Sequence, residues 1–131
     1  MNVTTTDAGT TLPFDRFWRW VKDHASCILE AGTTATSLFD FEDFHWGFVQ
    51  EEEGRVIAQV IRGKNLVAEL VIDPSEITYV QATPDVEGAD RGQWIFECMA
   101  GKAQEEYVAA YFVLAHGVEE IGKGKHEVLK H

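Results

Sequence analysis

The chain has 131 residues, 45% of them apolar and 11% aromatic, with 22 acidic against 11 basic side chains and a formal net charge of -11. That length fits one domain with its own core, and the aromatic content excludes an unstructured chain. So negative a balance repels nucleic acid and anionic membrane, and it attracts divalent cations or basic protein surfaces.

Met1 to Thr11 is polar and threonine-rich, with neither a basic leader nor an apolar run, and reads as a flexible arm. No stretch of about eighteen apolar residues follows, so the expectation is a soluble, cytoplasmic protein. Cys27 and Cys98 form no metal or redox spacing and read as reduced thiols.

From Leu12 to Glu30, Phe14, Phe17, Trp18, Val21, Ala25 and Ile28 recur at helical spacing, with Pro13 suiting the first turn and Gly32 following the end. This predicts a first helix. After a loop over Thr33 to Ser37, aromatics and acids interleave in Leu38-Phe39-Asp40-Phe41-Glu42-Asp43. Three strands follow, Phe44 to Glu51, Arg55 to Arg62 and Leu66 to Ile72, separated by turns at Glu53-Gly54 and Gly63-Lys64-Asn65. Asp73-Pro74-Ser75 is a turn, and Glu76 to Thr83 and Gln93 to Ala100 read as two more strands. Ala103 to Ile121 reads as a second helix, with Tyr107, Ala110, Tyr111, Leu114 and Val118 as its apolar stripe and Gly122 at its end.

The expected fold class is therefore α+β: an antiparallel meander of about five strands with an N-terminal and a C-terminal helix packed on it. One domain over residues 12–122 stands between the arm, 1–11, and a basic tail, 123–131, with Lys123, Lys125 and Lys130. Strands Arg55 to Arg62 and Leu66 to Ile72 are apolar on both faces, which predicts cover on both, from the helices or from a second subunit. A monomer and a homodimer both fit.

Between His24 and Gly101 fourteen acidic residues face four basic ones, so that segment carries 4 - 14 = -10. Hard cations such as Ca²⁺ need six to eight oxygens, best supplied by carboxylates on irregular backbone. Asp40, Glu42 and Asp43 offer them at a strand entry; in an extended conformation Asp40 and Glu42 share one face and Asp43 the other, as at any solvated strand end. Asp85, Glu87 and Asp90 sit in a loop with Gly88, without the EF-hand order of acids and glycine. Glu51-Glu52-Glu53 occupies a hairpin tip, where successive side chains diverge. No H-E-x-x-H, nucleophile elbow or glycine-rich phosphate loop is present, so a non-enzymatic protein is expected.

In its size, its acidity, its lack of an EF-hand and the aspartate of Leu38-Phe39-Asp40-Phe41-Glu42-Asp43, the chain resembles the small cyanobacterial calcium-binding proteins of the CcbP type. The resemblance implies a non-catalytic cytoplasmic Ca²⁺ buffer or sensor with Asp40 as a principal ligand. The alternative from charge alone is an acidic module, such as an inhibitor or immunity protein, that caps a basic protein partner. The two differ in one observable: a Ca²⁺ site needs carboxylates that converge, whereas a docking surface shows a contiguous acidic patch with embedded aromatics.

Overall fold

The computed structural model describes residues 4–6, 9–85 and 92–117. Within them the chain is mostly β. Ten strands run β1 (Thr4–Thr6), β2 (Gly9–Leu12), β3 (Ile28–Gly32), β4 (Ser37–Phe39), β5 (Phe44–Gln50), β6 (Val56–Arg62), β7 (Asn65–Ile72), β8 (Ile77–Pro84), β9 (Trp94–Ala100) and β10 (Tyr107–Leu114). One α-helix, α1 (Phe14–Asp23), follows β2, and short 3-10 turns cover Ala25–Cys27 and Pro74–Glu76. All pairings are antiparallel, in a seven-stranded sheet of order β1-β2-β8-β9-β10-β3-β4 and a three-stranded sheet β5-β6-β7.

The α+β expectation is corrected by these pairings. Tyr107 to Leu114 is a strand, zipped to β9 through Phe112↔Phe96 and to β3 through Phe112↔Ala31. Ala110 and Leu114 belong both to a helical stripe and to the period-two set Ala110, Phe112, Leu114, which is the set that is buried. Val108, Tyr111, Phe112 and Val113 are β-branched or aromatic and lose less rotamer freedom in a strand, so composition settles what the apolar run leaves ambiguous. Of the rest of the expected second helix, 103–106 and 115–117 are turns and irregular backbone, and 118–121, with Gly122 and the tail, 123–131, lie outside the described residues.

The first helix is shorter than expected. It ends at Asp23, and Ile28–Gly32, whose Ile28 fits the helical stripe, is a strand held by β10 on one side and β4 on the other. One partner, β10, is remote in sequence and the other, β4, is only three residues long, so little in the local pattern announces it. The stretch expected as an arm contributes β1 and β2, with Leu12 opposite Val80 in β8. The meander also divides: β5, β6 and β7 have the expected bounds within a residue or two, but β8 and β9 join the other sheet after the turn at Pro74, where the Asp73 carboxylate accepts from both the backbone N–H and the hydroxyl of Ser75.

Helix α1 and both sheets share one core. Five of its ten residues are buried, and Phe17 stacks on Phe96 of β9 (5.2 Å) and stands edge-on to Phe112 of β10 (5.4 Å). Trp46, Val56, Ala58, Val60, Leu70 and Ile72 face this core from the small sheet; Val80, Ala82, Phe96, Cys98, Ala110 and Leu114 face it from the large one. Trp20, absent from the expected stripe, is also buried, against Phe96. The outward face of the small sheet is only partly covered: Ile57 is 6% exposed, but Val67 and Val71 are 47% and 49% exposed. Within one chain, β7, an edge strand among the described residues, therefore lacks on this face the helix cover that the first of the two expected arrangements required.

Candidate functional site

The crossover from the large sheet to the small one is the turn Asp40 to Asp43, between β4 and β5. Two backbone bonds shape it: Asp40 N–H donates to the Leu29 carbonyl (3.0 Å), and Phe44 N–H donates to the Phe41 carbonyl (2.9 Å). Asp40, Glu42 and Asp43 are all exposed and line a hollow of about 640 Å³ with Phe41. Asp40 Oδ1 accepts from the indole Nε1 of Trp46 at 3.2 Å, which ties the turn to the buried face of β5. Phe39 and Phe41 are 60% and 66% exposed, and Phe41 leans on Phe44 with ring centroids 5.6 Å apart.

Of the second acidic set, Asp85 is half-buried beyond the end of β8, its N–H donating to the Gln93 carbonyl (2.9 Å). Glu87 and Asp90 lie outside the described residues. Among the described residues no three His, Cys, Asp or Glu side chains are grouped so as to hold a metal ion. Ca²⁺ needs six to eight oxygens, and the turn supplies three carboxylates that do not gather, one of them already bonded to an indole N–H. The residues described do not by themselves fit the ion that the CcbP resemblance implies.

A third acidic surface was not legible locally. The outward face of the large sheet carries a groove of about 430 Å³ in which Glu30, Asp85 and Glu97 stand among Ile95, Tyr111 and Val113. Register explains it: Glu97 faces Tyr111 and Ile95 faces Val113 across β9 and β10, while Glu30 faces Val113 across β3. The Tyr111 hydroxyl donates to Glu30 Oε2 and lies 2.6 Å from Ser37 Oγ, which is placed to donate to it. Burial, then the bond to Glu30, hold the Tyr111 phenol above its usual range, since ionising it beside a carboxylate in a half-dry groove is unfavourable. Glu30 and Tyr111 are 81 residues apart, and only the β3–β10 pairing brings them together.

At the hairpin tip, Glu51 and Glu53 do not simply diverge, since both reach the same cation. Arg55 bridges Glu51 (2.9 Å) and Glu53 (3.0 Å), and the Coulomb attraction of Glu51 leads in raising the Arg55 pKa. Its cation is already matched within the hairpin.

Among the described residues, fold and surfaces together define a predominantly β architecture, two antiparallel sheets keyed to one helix, with acids and aromatics exposed where the sheets join. Comparison with family models, curated proteins and solved structures gave no match to this chain.

Proposed function

We propose that the protein is a non-catalytic, cytoplasmic binding module that docks a basic protein surface on the rim formed by Phe39, Asp40, Phe41, Glu42 and Asp43. The observation that carries this reading is the pairing of two aromatic side chains exposed by 60% and 66% with three exposed carboxylates that do not converge. Exposed phenylalanines gain most when a partner covers them, and aromatic anchors supply much of the affinity of protein interfaces. The acids around them are complementary to a basic partner and speed its approach, and the net charge of -11 extends that field over the molecule. Two free cysteines accord with a reducing compartment, and among the described residues no helix is long and apolar enough to cross a membrane.

The test begins with proteins captured by the wild-type chain, each then purified and titrated calorimetrically against wild type and the Phe39→Ser/Phe41→Ser double variant. A partner of basic surface whose affinity falls by about 2–4 kcal/mol in the double variant is the expected result. Equal binding by both chains, or a partner that is not basic, refutes the reading. Tight Ca²⁺ binding by chelator-stripped protein, abolished by Asp40→Asn, would replace it with a calcium site.

A further inference from the structure

Cys27 and His116 are 89 residues apart in sequence and meet beside α1, with Cys27 Sγ 3.1 Å from His116 Nε2. Two backbone features fix the approach. Cys27 ends a 3-10 turn, and its carbonyl accepts from Ala115 N–H at 3.0 Å, which pins the residue before His116 to the thiol's own backbone. His116 Nδ1 lies 3.2 Å from the Gly117 carbonyl oxygen. A carbonyl only accepts, so Nδ1 carries the ring proton and the lone pair of Nε2 faces the thiol.

The imidazole is also held sideways. Its ring stands edge-on to Trp20 (5.6 Å) and to His24 (5.0 Å), and His24 is itself stacked on Trp20 (4.5 Å) with Nδ1 2.7 Å from the Trp20 carbonyl. A thiol in hydrogen-bond reach of a base, with that base oriented by a third group, is the arrangement that activates a sulfur nucleophile. Cys27 is only partly buried, packed at the edge of the core, which leaves it open to a small reagent rather than a large one. Cys98 is the built-in contrast: fully buried between the sheets, without such a base among the described residues, its thiol pushed far up by burial.

We propose that Cys27 is a modification site, a reactive thiol that forms a mixed disulfide with a low-molecular-weight disulfide while His116 takes its proton. In the step, the S–H proton moves to His116 Nε2 and the Cys27 sulfur attacks one sulfur of the reagent. The reagent's S–S bond breaks as the new one forms. The departing thiolate carries away the electron pair and recovers the proton from Nε2. Cys27 is oxidised, the reagent is reduced, and His116 returns to its starting state.

The experiment incubates the full chain with glutathione disulfide and follows adduct formation by intact-mass and peptide mass spectrometry. The expected result is one adduct, on Cys27 and not Cys98, formed at pH 7 at least about tenfold faster in wild type than in His116→Gln, a threshold set below the roughly hundredfold low end of what a positioned base contributes. The two rates should approach each other near pH 10, where thiols ionise without help. Equal rates at pH 7, or Cys98 reacting first in the folded chain, overturn the proposal. Should His116→Gln fail to fold, wild type is compared at pH 7 with and without unfolding urea: faster reaction of Cys27 in the folded protein supports the assignment, and slower or equal reaction overturns it.

Discussion

Trp18 of the helix stands edge-on to Phe48 of the small sheet with ring centroids 5.3 Å apart, one residue after Phe17 stacks on the large sheet. Adjacent helical positions point about 100° apart, so neighbours in sequence key the helix to two different sheets. The helix is thus the wedge around which the sheets close, and its aromatics, not the pairing of either sheet, join the halves of the core.

Phe17→Ala should therefore destabilise the protein by about 3–5 kcal/mol, because it removes a fully buried ring touching both β9 and β10. Phe41→Ser, two-thirds exposed, should change stability by no more than about 0.5 kcal/mol. Urea unfolding of both variants checks the pair. Similar losses in the two would mean that the exposed rim is part of the core.

Gly101 and Gly63 both have positive φ, +89° and +64°, but their surroundings differ. A Cβ at Gly101 would lie 2.6 Å from the Glu105 carbonyl oxygen, whereas one at Gly63 meets nothing within 4 Å. Gly63→Ala should cost about 1–2 kcal/mol, the price of left-handed backbone alone. Gly101→Ala should cost more, since the β9–β10 turn must shift as well. Thermal unfolding measures both, and the reverse order would contradict the turn geometry.

The small sheet was legible in the sequence because its signals are local: alternation in Phe44–Gln50, and Gly54 and Gly63 at turns where φ is +100° and +64°. The large sheet was only partly so: β8 and β9 have the expected bounds to within a residue, whereas β1, β2, β3, β4 and β10 were not read as strands. Ile28–Gly32 continues a helical apolar pattern, and Tyr107–Leu114 is apolar at nearly every position, so neither is told from a helix by its own pattern, and each is a strand through its pairings, with the other and with β4 and β9. The same holds for the sites. The acids of the Asp40 turn could be read directly, yet the sequence did not show that Asp40 bonds to Trp46; Glu30 with Tyr111, and Cys27 with His116, are partners that only long-range pairing supplies.

Tyr111 sets an expectation for alkaline pH. Burial first, then the bond to Glu30, raise its folded-state pKa above the usual value near 10. A raised value means that the folded state holds the proton more tightly than the unfolded chain. Stability is therefore undiminished below about pH 10 and declines as pH rises through the raised value. Tyr79, raised by burial and by its 3.0 Å bond to Glu106, adds in the same direction. Urea midpoints between pH 8 and 11 should fall less steeply in Tyr111→Phe than in wild type, and identical slopes would show that this phenol does not couple to folding.

Calcium titration separates a field from a site. Neutralising Glu51, Glu52 and Glu53 removes three charges from a tip where Arg55 already matches part of the charge, whereas Asp40→Asn removes one charge and keeps an acceptor for the Trp46 indole. Diffuse attraction follows total charge and is screened over roughly 10 Å at 0.1 M salt, while coordination depends on particular inner-shell oxygens. With the carboxylates of the Asp40 turn dispersed, Ca²⁺ should bind no tighter than about 10⁻⁴ M, weaken further with added salt, and respond to the tip variant at least as much as to Asp40→Asn. Micromolar binding that survives 0.1 M salt and disappears in Asp40→Asn alone would instead establish coordination at the turn. In that event the turn has to gather its oxygens around the ion, and the exposed Phe39 and Phe41 would move with it, a change that the fluorescence of Trp46, bonded to Asp40, reports directly.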